Sequence, residues 1–144
     1  MLSKACEYGI RAMIFIANQS LNGERSSIKE IANGIKSPEA FTAKILQALI
    51  KNDLLTSKKG PNGGFELTNK QINTISLSDI IISIDGTDAM NGCVLGLDSC
   101  SDLHPCPVHH KYAPIKTELL TFLHQTPLKD AVVNLHILHT HIRS

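Results

Sequence analysis

Four side chains that carry soft or borderline donor atoms fall in one short stretch: Cys93, Cys100, Cys106 and His109, with six, five and two residues between them. Three thiols and an imidazole on one loop could surround a metal centre. The gaps bear on which one. Structural zinc knuckles take paired ligands from a tight C-x2-C turn, and none occurs here. Wide gaps leave slack to wrap a larger object such as an iron–sulfur cluster, and Gly92, Gly96 and Asp98-Ser99 favour a pliable wrap. The stretch is polar and rich in Gly, Asp and Pro, which does not suit its cysteines to burial as small hydrophobes. Cys93, Cys100 and Cys106 are therefore read as ligands, with reactive redox thiols as the second reading. His104 and His110 flank His109, and any of the three could complete the set. Cys6 stands apart and reads as a small buried hydrophobe on the first helix. His124, His136, His139 and His141 read as helix-surface residues rather than a second metal site.

At 144 residues, the chain fits one domain, or a small domain with a dimerising appendage. Apolar residues at 42% and charged residues at 19% are an ordinary globular balance, which argues against intrinsic disorder. Aromatics are only 4%, without Trp, which disfavours a base-stacking single-strand binder. No apolar run is long enough for a membrane span, and the N-terminus lacks a signal-peptide pattern, so a cytoplasmic location is expected. Clustered cysteines in such a chain point to metal ligands or redox thiols rather than a disulfide framework. Ser, His and Asp are scattered without a nucleophile motif, so no enzyme is indicated.

Charge divides the chain. Residues 1–70 hold ten Lys/Arg against six Asp/Glu, net +4, and residues 71–144 hold four against seven, net −3. Only the first half is suited to meet a polyanion. We accordingly divide the sequence into a DNA-binding region, 1–70, and a region 71–144 with a cysteine loop at about 87–109 and dimerisation helices.

The elements that must position these residues follow from periodicity and caps. Cys6, Ile10, Met13 and Ala17 predict a helix from about Lys4 to Asn18. Ser27 and Glu30 form a capping box that opens a short helix, closed at Asn33-Gly34 through a left-handed residue. Ser37 as cap, Pro38 at the first helical position and Glu39 in the first turn start a third helix running to about Asn52. Leu54–Lys58 and Phe65–Thr68 read as strands around the turn Gly60-Pro61-Asn62-Gly63-Gly64. A helix-turn-helix followed directly by a hairpin is the order of a winged helix. Its wing lysines, Lys58 and Lys59, suit phosphate contact, and glycines let the backbone approach DNA closely. The candidate DNA-binding residues are Ser37, Glu39, Thr42, Lys44, Lys58, Lys59, Gly60, Asn62 and Gly63. Further on, Ser76 and Asp79 cap a short buried helix that ends at Asp85-Gly86. No period is found from Thr87 to about His109, a length of irregular chain that is usually functional or disordered. Helix resumes near His110 or Lys111, with Pro114 in its first turn or at a kink, and Thr126-Pro127 caps a last short helix. Ile115, Leu119, Phe122 and Leu123 make an apolar seam.

Leu2-Ser3-Lys4, Tyr8, Arg11-Ala12-Met13, Phe41 through Leu46, Leu49 through Leu54, the wing Gly60 through Phe65 and the three-cysteine loop together resemble the Rrf-type (BadM-like) bacterial transcription regulators. The resemblance covers nearly the whole chain. It implies a mainly α fold with a small β-hairpin wing: a winged helix-turn-helix plus a long C-terminal dimerisation helix. It further implies a homodimer joined through that helix at the Ile115, Leu119, Phe122, Leu123 seam, and a double-stranded DNA operator whose binding is controlled by an iron–sulfur cluster. Cys106-x-x-His109 is similar to the pattern of the family's iron–sulfur cluster regulators, in which three Cys and one His hold a 2Fe–2S cluster. Here the first gap is six residues where that pattern has five. Glu7 aligns with the position where nitric-oxide-sensing and redox-sensing relatives supply a carboxylate ligand across the dimer. The expected set is thus Cys93, Cys100, Cys106 and His109, with Glu7 as alternative fourth ligand and 4Fe–4S as alternative to 2Fe–2S. The signal would be iron–sulfur status, redox or nitric oxide. Competing expectations are a cluster-free or zinc-bound thiol-based repressor of the same fold and, ranked lower, a small iron–sulfur electron carrier.

Overall fold

The computed structural model describes the backbone of residues 2–137 and the side chains of residues 2–132. Ser3 accepts a hydrogen bond from the Cys6 N–H at 3.0 Å and so caps α1 (Lys4–Leu21), a turn longer than its apolar spacing suggested. Cys6, Met13, Ile16 and Ala17 fall on its fully buried face. The Ser27–Glu30 capping box opens α2 (Ile28–Ile35), which ends on Lys36 in the left-handed region (φ 55°, ψ 52°) rather than at Asn33-Gly34. Gly34 is instead buried inside the helix, where an added Cβ would strike the Phe15 ring, so it serves the α1–α2 packing and not the turn.

Helix α3 (Glu39–Lys51) lies across the first two. Its N-cap is Pro38, and Ser37 makes no capping bond to the helix amides. Thr42 bonds into the same turn without capping it. Its hydroxyl donates to the Pro38 carbonyl at 2.8 Å, with the Ser37 hydroxyl 3.0 Å away. Strands β1 (Thr56–Lys58) and β2 (Gly64–Glu66) pair antiparallel, with Ser57 opposite Phe65. They are shorter than the sequence pattern because Leu55 and Leu67 turn into the core on either side, while Thr68 caps α4 (Asn69–Thr74) through a capping box with Gln71. That helix has too few apolar residues to announce itself by period. Ser26 extends the hairpin, exchanging bonds with Phe65 in both directions at 3.0 and 2.8 Å. Gly64 (φ +138°) permits this approach, since a Cβ there would lie 2.8 Å from the Ser26 carbonyl oxygen.

Helix α5 (Leu77–Asp85) starts at the Ser76–Asp79 capping box, as expected. A four-residue helix, α6 (Asp88–Asn91), then leads into the irregular loop. Helix α7 (His109–Gln125) begins at His109 itself, and Pro114 sits in its second turn, where no N–H is available for the preceding turn's carbonyl. Helix α8 (Leu128–Ile137) is tied back to the junction of α4 and α5: Leu128 donates to the Ile75 carbonyl and Leu77 to that of Thr126. Leu128 and Val132 join the core formed by Ala12, Ile16, Ile31, Leu46 and Leu49. Packing therefore ignores the charge boundary near residue 70, and the last described helix shares its core with the winged helix.

Candidate metal centre and nucleic-acid interface

Among the described residues, Cys93, Cys100 and Cys106 bring their Sγ atoms all within 4.8 Å of one another. The loop does this through local turns. Gly96 donates to the Cys93 carbonyl at 2.9 Å with φ +75°, Ser101 donates to the His104 carbonyl at 3.1 Å, and His109 to that of Cys106 at 3.1 Å. The last of these is the start of α7, so the helix delivers His109 to the thiols. Its Nδ1 lies 3.2 Å from Cys100 Sγ, and its Nε2 lies 2.8 Å from Asp102 Oδ1. The ring is largely enclosed and stands edge-on to that of His110, 5.4 Å away. His104 contributes its backbone to the turn and, like His110, is exposed. A cavity of about 290 Å³ opens onto Cys93, Cys100, Cys106, His109 and Lys116.

The donors suit a metal. Cys93 Sγ and Cys106 Sγ are 3.6 Å apart, close to the roughly 3.8 Å edge of a tetrahedron of thiolates at a metal–sulfur distance of about 2.3 Å. The thiols are not equivalent. Backbone N–H groups of Leu97 and then Leu95 pull the Cys93 pKa down to about 7, and Cys106 and Cys100 add to it. At Cys100 a bond from the Cys106 backbone favours the thiolate, but partial burial and the neighbouring thiols outweigh it and raise the pKa. The His109 bond lowers that of Asp102.

Glu7 is not part of this group in its own chain. It pairs with Lys4 at 3.0 Å on the outer side of α1, and that bond lowers its pKa. Cys6 is fully buried, as the first helix's apolar face required, and its Sγ donates to Asp85 Oδ2 at 2.9 Å. His124 is exposed. His139, His141 and the His136 side chain lie outside the described residues. Asp102 was not singled out from the sequence, where it is one of five Asp between Lys70 and Lys111. Its position two residues after Cys100 was the available signal.

In the winged helix, Lys44 of α3 and Lys58, Lys59, Gly60 and Asn62 of the wing are exposed, and Glu39 is exposed at the α3 N-terminus. Ser37 and Gly63 are half-buried. A Cβ at Gly63 would collide with the Lys58 carbonyl, so the tight wing turn needs that glycine. Thr42 is fully buried, which removes it from any base-reading surface and corrects the sequence expectation: its hydroxyl is spent on Pro38 and Ser37. Arg25, which sequence reading passed over, braces the wing by donating to the Asn62 carbonyl at 3.1 Å and pairing with Glu66 at 3.0 Å. The proposed seam also divides. Ile115 and Phe122 are 60% and 54% exposed, whereas Leu123 is buried against Cys6 and Ile81 with Leu119 partly packed beside it.

A capped helix-turn-helix, a basic wing and a thiol–imidazole loop define a winged-helix DNA-binding protein with a potential metal centre. A family model described as Rrf2, iron-dependent transcriptional regulator, matches residues 2–134, and the chain belongs to the Rrf2 family of transcriptional regulators. An HTH-type transcriptional regulator of Aquifex aeolicus is 36% identical over 124 residues, covering 84% of this chain and 85% of that one. The HTH-type transcriptional regulator IscR of Pectobacterium atrosepticum is 25% identical over 138 residues, covering 96% of this chain and 82% of its own. The solved structure of CymR (YrzC), the global cysteine regulator of B. subtilis, shares the fold with a TM-score of 0.75 at 22% identity, over 92% of this chain and 96% of that one. Among the described residues, no helix is long and apolar enough to cross a membrane.

Proposed function

We propose that this regulator binds a two-fold double-stranded DNA operator as a homodimer, and that an iron–sulfur cluster held by Cys93, Cys100, Cys106 and His109 controls that binding. The convergence of three thiols within 4.8 Å, with the His109 Nδ1 3.2 Å from one of them, carries this reading. The four donors fall into two close pairs, Cys93 with Cys106 and Cys100 with His109. That pairing suits a 2Fe–2S cluster, which takes two ligands at each iron. When bound, the cluster supplies a redox- and nitric-oxide-reactive centre whose presence reports iron–sulfur status. Glu7 is the alternative fourth ligand and would reach the thiols only from the opposite subunit, with 4Fe–4S as the alternative cluster.

The chain has a route from loop to DNA. Helix α5, which runs into the loop through α6, is bonded to the end of α3: the Ser83 hydroxyl donates to the Ala48 carbonyl at 3.3 Å, and the Asn52 amide donates to Ser83 Oγ at 3.1 Å. A shift of α5 set by the loop would tilt α3 against the wing. In the operator complex, Lys44 reads from α3, Lys58 and Lys59 neutralise phosphates, and the backbone of Gly60, Asn62 and Gly63 approaches the groove. Ser37 and Glu39 stand at the α3 N-terminus. Half-sites would lie about one helical turn, ~34 Å, apart.

The test is anaerobic purification with iron and sulfide quantitation, a visible spectrum and operator binding before and after cluster removal. Stoichiometric iron and sulfide with a change in affinity is expected. A colourless protein whose DNA binding is indifferent to iron would reject the reading. One observation favours a second reading, a cluster-free or zinc-bound thiol-based regulator: Cys93 Sγ and Cys106 Sγ are 3.6 Å apart, and backbone N–H groups at Cys93 favour its thiolate. In that case peroxide, reduced to water, would join the two sulfurs, and the Cys93→Ala variant would lose the oxidant response in metal-free protein.

A further inference from the structure

Among the described residues, Asp102 pairs with the outer edge of His109, and its placement is built rather than incidental. The turn that carries it is closed twice, by the Ser101 N–H to the His104 carbonyl and by the His104 N–H to the Ser101 hydroxyl, both at 3.1 Å. The carboxylate meets Nε2 at 2.8 Å while Nδ1 faces Cys100 at 3.2 Å. The His109 side chain is 17% exposed and that of Asp102 is 94% exposed, so the ring is inside and the carboxylate holds it from the solvent side. A carboxylate can only accept, so Nε2 carries the proton in this bond, and in the neutral ring Nδ1 then presents its lone pair to the thiol pocket. We infer that Asp102 is a positioning residue, which fixes His109 in the Nε2–H form and makes Nδ1 the atom offered to the centre. This rests on the reading of His109 as the fourth ligand. Partners of this kind orient metal-bound histidines, and losing one costs about 10–100-fold in metal affinity. Solvent competition at so exposed a carboxylate places Asp102 at the lower end.

The experiment uses the full chain with histidine labelled by ¹⁵N at both ring positions, first metal-free above pH 8. His109 should be more completely Nε2-protonated than exposed His104 and His110 in the same spectrum. Asp102→Ala should relax it to their ratio, while Asp102→Asn, which keeps an oxygen acceptor, should retain the bias. Reconstituted with iron and sulfide, Asp102→Ala should lose its cluster about tenfold faster than wild type, with Asp102→Asn close to wild type. A wild-type His109 indistinguishable from His104 and His110 overturns the inference, as does an Asn variant that fails like Ala, because the role would then be charge alone. Should the wild-type chain take up no iron, the cluster reading falls, and the metal-free spectra still decide whether Asp102 sets the imidazole.

Discussion

The thiol of Cys6 lies 2.9 Å from Asp85 Oδ2, fully enclosed between α1 and α5, and this pairing separates it chemically from the three cysteines of the loop. Asp85 is also bonded by the Ser3 hydroxyl at 2.8 Å, so the N-cap of α1 and the last residue of α5 share one carboxylate. Burial, and then Asp85, push the Cys6 thiol up to about 12, whereas Cys93 is drawn down to about 7.

Alkylation should expose that contrast. In metal-free protein at pH 7, iodoacetamide should modify Cys93 ahead of Cys100 and leave Cys6 unmodified until the chain unfolds, because the thiolate is the nucleophile. Peptide mass spectrometry over a time course reads the order. Labelling of Cys6 at a rate comparable to Cys93 in folded protein would contradict its enclosure.

Stability should fall in alkali partly through Cys6. Its folded pKa stands above the ordinary 9.0, so the fold favours the neutral thiol. That contribution is complete below about pH 9 and disappears as pH rises towards 12. Urea midpoints of wild type and Cys6→Ala between pH 8 and 11 should converge as the pH increases; parallel curves would assign the alkaline loss to other groups.

The wing and α3 should respond differently to substitution. Lys58→Ala with Lys59→Ala should weaken operator binding broadly and flatten its salt dependence by roughly two phosphate contacts per subunit. Lys44→Ala should change sequence preference. Thr42→Val should leave preference intact and cost about 1 kcal/mol of stability through its lost hydroxyl bonds. Fluorescence anisotropy over a salt series measures the first two. Chemical denaturation measures the third, and a Thr42→Val variant of normal stability but altered preference would place that side chain at the DNA after all.

Subunit association should depend on the outer part of α7. Ile115→Asp and Phe122→Asp should give a folded monomer with reduced operator affinity, because a charge placed in an apolar contact loses its hydration without a partner. Leu123→Asp should unfold the chain instead, since that residue is 6% exposed and packs on Cys6 and Ile81. Sedimentation velocity and circular dichroism separate the two outcomes. A tight dimer in the Phe122→Asp variant would move the interface elsewhere.

Caps and periodicity are local, and so they were legible. Ser27 with Glu30 and Ser76 with Asp79 each needed only residues three apart, and the starts of α2 and α5 followed from them. The three-cysteine loop was legible for the same reason, since its donors lie within seventeen consecutive residues. What periodicity could not distinguish was which neighbour an apolar or polar side chain would meet. Thr42 had the right type and place for a base contact, but α3 rotates it inwards onto Pro38. Leu123 belonged to one stripe with Phe122, yet α5 and α1 cover it and leave Phe122 open. Asp102 was one acid in an acidic stretch until the turn at Ser101–His104 brought it to His109. The charge split at residue 70 suggested two regions, but Leu128 and Val132 of α8 share one core with Ala12, Ile16 and Leu46. Sequence spacing sets which residues share a helix face or a turn. Contacts between elements distant along the chain depend on how those faces dock, and only the folded chain decides that.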